Sequence, residues 1–593
     1  MRSLSPQRQD SREGGRIWDL RHGDAEDNRT SPRVHGLLRV IFSTALEFRY
    51  FKSLLSFLIL VIGPALLLGL APSVALTYGQ LKYEAGSMLG RSPIVGLVLL
   101  AILAGIALGL WRPLTRSVVS IFWDLHYTLV FPLFVVLREI LRMAAERVPD
   151  RAKSPEQIHR RRQIGTILAA LLVVGGGLGL AIAVLNSSGL QMLDLRHVQP
   201  WVFARAALVN AAVIFGVSAA VESLYWLWHQ PDFSGPVVNW EPAASNLAVN
   251  GPRVAHLSDL HLVGQRYGYR METGTGGPRG NRRMERALHQ VAATHAMSPL
   301  DHILVTGDIT DAGTRAEWTE FLDLLQGYPE LRAGLSFVPG NHDVNVADRS
   351  RAGHFDLPWS AGLALRRLRV VLALAAIQGE RARVVDRATG VLGPSLNDYL
   401  EKGERAERLR ALAQNGALRG RREMANVWEE VFPLVEPPRR QDGYGIILLN
   451  SNSRGYFSLT NAVGVINPPQ LRALKCILRD FSHAAWAILL HHQVVEYPVT
   501  SIGFRERITL ALVNAADLLS ALRPHASRVI VFHGHRHWDW IGKCGNVVLC
   551  SAPSVMLGSH DEEDGCGKFH IHKLALGPNG AFCLSTTERV VVE

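Results

Sequence analysis

The stretch Ile303-Leu304-Val305-Thr306-Gly307-Asp308-Ile309-Thr310-Asp311 reads as a short buried strand that stops at a glycine and delivers two carboxylates into the loop beyond it. The same arrangement recurs along the chain. Ser258-Asp259-Leu260-His261 follows a strand expected over residues 254–257, and Gly340-Asn341-His342-Asp343 follows one over 336–338. The pair His491-His492 follows 487–490, and Gly534-His535-Arg536-His537 follows 529–532. Every cluster offers oxygen or imidazole nitrogen and none offers a thiolate. Such donors suit manganese, iron or zinc at a catalytic site rather than an all-sulfur cage or an iron–sulfur cluster.

With further strands expected over 446–449 and 547–549, separated by amphipathic or loop segments, this part of the chain reads as an α/β layered fold. Catalytic groups gather at strand ends because the sheet fixes the backbone there, while the loop beyond is free to aim side chains into a shared crevice.

A chain of 593 residues exceeds one ordinary core, and its composition divides it. Apolar runs near residues 54–70, 94–111, 164–185 and 206–228 approach or reach the length that crosses a bilayer. The stretch 118–137 carries Asp124, His126 and Pro132 and reads instead as re-entrant or interfacial, since charge within a span is costly. The expected organisation is a basic N-terminal segment (1–52), a helical membrane region of four spans (53–230), a linker (231–250) and a catalytic domain (251–593) with a helical insertion at 345–441.

Residues 1–52 hold ten Lys/Arg and residues 138–163 hold eight, whereas the loops at 79–92 and 187–200 hold two and one. Basic loops stay in the cytoplasm. Four spans therefore place the N-terminus, the 138–163 loop and the catalytic domain on the cytoplasmic side of the cell membrane. The first apolar run lies too far from residue 1 to read as a cleaved signal. Much of the net charge of +11 flanks the membrane region, which assigns it to anionic headgroups rather than to nucleic acid. All five cysteines lie beyond residue 475, an odd number that suits reduced thiols better than a disulfide framework.

In their order, the five clusters resemble those of the calcineurin-like metallophosphoesterase superfamily: Asp-x-His, Gly-Asp-x-x-Asp, Gly-Asn-His-Asp/Glu, His and Gly-His-x-His, here over about residues 250–560. The resemblance implies a four-layer β-sandwich flanked by helices, here preceded by an all-α transmembrane region. It implies two divalent or mixed-valence ions (Mn, Fe or Zn), one held by Asp259, His261 and His537 and the other by Asn341, His491 and His535, with Asp308 bridging. It further implies hydrolysis of a phosphate ester by hydroxide generated between the ions, with His342 binding phosphate or protonating the leaving oxygen. Asp343 is expected to hold the His342 ring, and Asp311 to support the centre by hydrogen bonding. Gln493 stands where the family often has proline after the histidine pair, and His491 is preferred over His492 as the ligand. His256, His302 and His533 are read as packed core residues. The glycine-rich loop 264–280, with Arg266, Arg270 and Arg279, is read as solvated rather than anion-binding.

Small phosphodiesters such as cyclic nucleotides are the leading substrate class, and a lipid-linked phosphate or pyrophosphate is the alternative. A non-catalytic sensor or scaffold is disfavoured because every ligand position is intact. Transport is disfavoured because the spans carry little polar lining.

Overall fold

The computed structural model describes residues 17–26, 54, 57–125, 131–147, 155–189, 199–228, 237–241, 251–271, 273, 277–345, 361–387, 389–452, 462–498, 512–559, 565–577 and 581–592. The chain forms two compact units, one of residues 41–233 and one of residues 1–40 with 234–593.

The first unit is helical: Gly63–Arg91, Pro93–Leu125, Phe131–Arg147, Pro155–Ser188 and Pro200–Trp228. Three helical stretches, Gly63–Arg91, His159–Ser188 and Pro200–Tyr225, are long and apolar enough to cross a membrane, and Pro93–Gly109 is a shorter apolar one. The segment 79–92 differs from its expected form as a loop. It is helical to Arg91, because Leu81, Lys82, Glu84, Ala85 and Met88 are good helix formers and no proline interrupts them. Residues 126–130, on which the nature of 118–137 turns, lie outside the described residues.

Among the described residues, the second unit contains fourteen strands. They are β1 (Val237–Asn239), β2 (Arg253–Leu257), β3 (His302–Val305), β4 (Leu335–Phe337), β5 (Arg383–Val385), β6 (Leu392–Ser395), β7 (Leu434–Glu436), β8 (Tyr444–Leu448), β9 (Ala485–Leu489), β10 (Val529–His533), β11 (Trp540–Cys544), β12 (Val547–Ser551), β13 (Gly567–Leu576) and β14 (Phe582–Val592). Nine form one sheet in the order β1-β11-β12-β10-β9-β8-β7-β5-β6, and five form the other in the order β14-β13-β2-β3-β4. Strands β2, β3 and β4 run parallel, as do β8, β9, β10 and β12. Their near-continuous apolar sequences follow from burial on both faces. Contacts such as Tyr444 stacked on Phe582 and His256 edge-on to Phe532 join the two sheets across the core.

The segment expected as an insertion contains the helices Ala361–Gln378, Leu396–Glu401, Glu404–Asn415 and Leu418–Val431. Its strands β5, β6 and β7 continue the nine-stranded sheet beyond β8, so the insertion shares the core of the domain.

Residues 17–26 pack on this same unit. Asp24 accepts from the buried Arg369 guanidinium at 2.7 and 2.9 Å, Ala25 N–H donates to the Ala413 carbonyl, and Arg21 pairs with Asp323. A buried guanidinium is costly unless it is paired and hydrogen-bonded, and Asp24 with Glu26 meets that need.

His302, on β3, is held down to about 4 by burial and then by Arg381. The unfolded chain takes up this proton near 6.5 and the folded chain does not, so its contribution is complete above pH 6.5 and falls as pH drops toward 4. Relative to His302→Gln, the wild-type protein should lose up to about 1.4 kcal/mol of unfolding free energy per pH unit across that window. Urea titrations at pH 7.5 and 5 measure this, and a pH-independent difference between the two proteins contradicts it.

Candidate metal centre

All seven expected ligands stand just beyond the C-terminal ends of parallel strands: Asp259 and His261 after β2, Asp308 after β3, Asn341 after β4, His491 after β9, and His535 with His537 after β10. Among the described residues, the non-glycine residues with positive φ are Asp259 (52°), His261 (42°), Asp308 (49°), His535 (75°) and His537 (53°). Left-handed backbone costs an L-residue roughly 1–3 kcal/mol, and here it is concentrated on candidate ligands alone. These bends turn donors inward that an extended strand would point to alternate faces. Glycines make the approach possible. A Cβ on Gly340 would lie 2.1 Å from the Asp308 amide nitrogen, and one on Gly534 would lie 1.8 Å from Ser258 Oγ.

The donors form two groups. In one, His537 Nε2 is 3.3 Å from Asp259 Oδ1 and 3.4 Å from His261 Nε2. In the other, His491 Nε2 is 3.1 Å from Asn341 Oδ1, 3.0 Å from His535 Nδ1 and 3.3 Å from Asp308 Oδ2. The same Asp308 oxygen lies 3.9 Å from His261 Nε2, so this carboxylate faces both groups. All seven side chains are buried.

Outer contacts fix several of them. His491 Nδ1–H donates to the Thr306 carbonyl, which turns the Nε2 lone pair toward Asp308 and Asn341. The His535 amide donates to Asp259 Oδ2, and the His342 amide donates to Asp308 Oδ1. Burial disfavours the Asp308 anion, yet His491 and His342 hold its carboxyl well below the usual range. Burial likewise disfavours the His491 cation, yet Asp308 holds that imidazole up, at about 9. Buried lone pairs without hydrogen-bond partners remain on Asp259 Oδ1, His261 Nδ1 and His535 Nε2. Hard oxygen and imidazole donors left in this condition fit divalent metal ions.

His342 lies beside the first group, its ring 4.7 Å from that of His261. Its ring is held through Nδ1–H by the Asp311 carbonyl at 2.7 Å. The Asp343 carboxylate accepts from Thr310 N–H and hydroxyl and from Gly340 N–H, which ties the Asp308 loop to the Asn341 loop. Its neighbours in space are backbone donors because the loops converge over it, and burial followed by Asp308 raises it to about 6. Asp311 also places Oδ1 3.5 Å from His261 Nδ1.

His492 sits behind the centre with Nδ1 2.9 Å from Ser451 Oγ, while His491 is the member of the pair that faces Asp308. In the loop read as solvated, Arg270 departs from that expectation. It is buried and donates to the His261, Pro278 and Gly280 carbonyls, bracing the backbone of a candidate ligand. Nothing in a glycine-rich, arginine-dotted stretch distinguishes such a brace from a solvated arginine. Ser554 Oγ–H, donating to the Asp259 carbonyl at 2.6 Å, has no sequence signal either.

Two His/Asp clusters facing one carboxylate between two β-sheets could each hold a metal ion. Residues 252–539 match the calcineurin-like phosphoesterase family. The chain is also similar to a protein of Coxiella burnetii named a probable cyclic nucleotide phosphodiesterase, 31% identical over 98 residues, which is 16% of this chain and 34% of that one. The chain thus matches about a third of the length of this curated relative. Among solved structures, a dimetal phosphatase from Danio rerio aligns with a TM-score of 0.32 and 13% identity over 58% of this chain and 99% of the other. The sulfate thiohydrolase SoxB of Thermus thermophilus aligns with a TM-score of 0.28 and 12% identity, over 59% and 58%.

Proposed function

We propose that this chain is a membrane-anchored phosphodiesterase that hydrolyses cyclic nucleotides or other small phosphodiesters. The observation that carries the proposal is the Asp308 carboxylate facing both donor groups. Asp259, His261 and His537 are assigned to one ion, Asn341, His491 and His535 to the other, and Asp308 to both; manganese, iron and zinc all suit these donors. Ions bound there supply Lewis-acid activation of a phosphate ester and of the water that attacks it.

The protein's own part is positional. The Thr306 carbonyl and the His342 amide fix the faces that His491 and Asp308 present. Held through Nδ1–H by the Asp311 carbonyl, His342 is assigned to the substrate's phosphate or, as proton donor, to the leaving oxygen. Similarity to a named cyclic nucleotide phosphodiesterase supports a diester over a monoester. The test uses the full chain in detergent, stripped of metal and reloaded with manganese, on bis(p-nitrophenyl) phosphate, p-nitrophenyl phosphate and 3′,5′-cyclic AMP. Metal-dependent cleavage of the diesters above the monoester is expected. Cleavage of the monoester alone overturns the substrate class, and activity only on lipid-linked pyrophosphates in mixed micelles transfers it to that alternative.

The docking of residues 17–26 on the unit that holds the centre supports placing the N-terminus and the catalytic domain on one side of the bilayer. That requires an even number of crossings, and Pro93–Gly109 is then the fourth beside the three longer candidates. With the basic loops retained inside, that side is the cytoplasm. Fluorescent-protein fusions at either end should both fluoresce, whereas alkaline phosphatase fusions at either end should be inactive. Opposite behaviour of the two ends contradicts the even count.

A further inference from the structure

Behind the dinuclear centre, three histidines face one another inside the sandwich. His256 on β2 and His570 on β13 are direct cross-strand partners, so their side chains share a face of the five-stranded sheet, and His572 lies two residues further along that face. All three are fully buried, and His256 and His572 pack against Phe532 of the opposite sheet. Their ring centroids are 5.3, 5.7 and 6.3 Å apart. One ring nitrogen from each lies within 4.8 Å of the other two.

Two rings are held from outside by a hydrogen bond to one nitrogen, and the third lies beside a carboxylate. His256 Nε2 is 3.0 Å from the Thr306 hydroxyl, His572 Nδ1 is 2.9 Å from the Thr587 hydroxyl, and His570 Nε2 is 3.2 Å from the Asp539 carboxylate. His256 Nδ1, both His570 ring nitrogens and His572 Nε2 have no hydrogen-bond partner. Next to a carboxylate, the His570 proton belongs on Nε2, which leaves Nδ1 a bare lone pair. Buried polar atoms without partners are costly, and three imidazoles packed only for their apolar surface would leave such atoms on every ring. A hydroxyl or carboxylate on the far nitrogen is the arrangement that orients histidine ligands toward a metal. A metal about 2.0–2.1 Å from three imidazole nitrogens sets their ring centroids about 5 Å apart, close to the spacing here.

We propose that His256, His570 and His572 form a second, structural metal site, separate from the dinuclear centre and suited to zinc. Three neutral nitrogens and no thiolate favour a borderline divalent ion over calcium or magnesium, and a water completes the tetrahedron. The site clamps β2 to β13 three residues before Asp259. Through Asp539 it also braces the segment that follows His537.

The test separates this ion from those of the dinuclear centre. Full-length protein carrying Asp259→Ala and His535→Ala, expressed with added zinc and dialysed against a chelator, should retain about one equivalent of metal per chain by mass spectrometry. X-ray absorption at the zinc edge should show nitrogen neighbours at about 2.0–2.1 Å. Adding His572→Phe, which keeps the apolar volume and removes the nitrogen, should abolish that equivalent. A folded double variant with no bound metal overturns the proposal and leaves a buried water or bare histidine packing. Metal retained after His572→Phe overturns it as well. If the triple variant fails to fold, the double variant's metal content and absorption spectrum decide alone.

Discussion

Replacing Asp308 by asparagine should abolish metal-dependent hydrolysis. The amide keeps the size of the side chain and an acceptor for the His342 amide, now 2.8 Å from Oδ1, so the loop retains its shape. What disappears is the negative charge that faces both donor groups and holds the His491 imidazole up at about 9 against burial. Two cations held a few ångströms apart repel one another, and a shared carboxylate offsets that repulsion. Lewis-acid stabilisation is worth several kcal/mol and each 1.36 kcal/mol is a factor of ten, so kcat should fall on the order of 10³-fold or more. Circular dichroism and urea titration should show a folded protein, while bound manganese drops. Full activity in Asp308→Asn would remove this carboxylate from the chemistry.

His342→Ala should reveal its role through the leaving group. Its Nδ1–H is committed to the Asp311 carbonyl, which directs Nε2 outward from that anchor. A general acid contributes about 10²–10⁴-fold, and more where the leaving oxygen is strongly basic. The variant should therefore lose much less on a p-nitrophenyl ester than on an alkyl or ribosyl ester. Manganese content should stay unchanged, since neither donor group includes this ring. An equal loss on all esters, carried in KM, would assign His342 to phosphate binding instead.

How far these claims were legible in the sequence depends on the kind of residue. Strands β2, β3, β4, β8, β9, β10 and β12 were legible because burial on both faces makes them short apolar runs, and all but β8 and β12 are closed by a ligand cluster. Strands β13 and β14 were not. Lys568, His570 and His572 sit among their apolar residues, and nothing local says that those polar groups face a protein interior. The three-residue strands β5 and β7 are defined by partners far along the chain, so the insertion read as helical alone. At the centre, the ligand types and their order were legible because chemistry restricts them to a few side chains. The bracing groups were not, since Arg270 acts through three carbonyls and Asp343 through backbone amides, contacts that only the folded loops create. His256 shows the limit most clearly: a lone histidine in a strand reads as core, and its partners lie more than three hundred residues away on β13.

The most direct test of the central claim is anomalous diffraction at the manganese edge from crystals of the manganese-loaded protein. Two peaks flanking the Asp308 carboxylate are expected, one against Asp259, His261 and His537 and the other against Asn341, His491 and His535. A single peak, or peaks that do not touch Asp308, would contradict the two-ion centre.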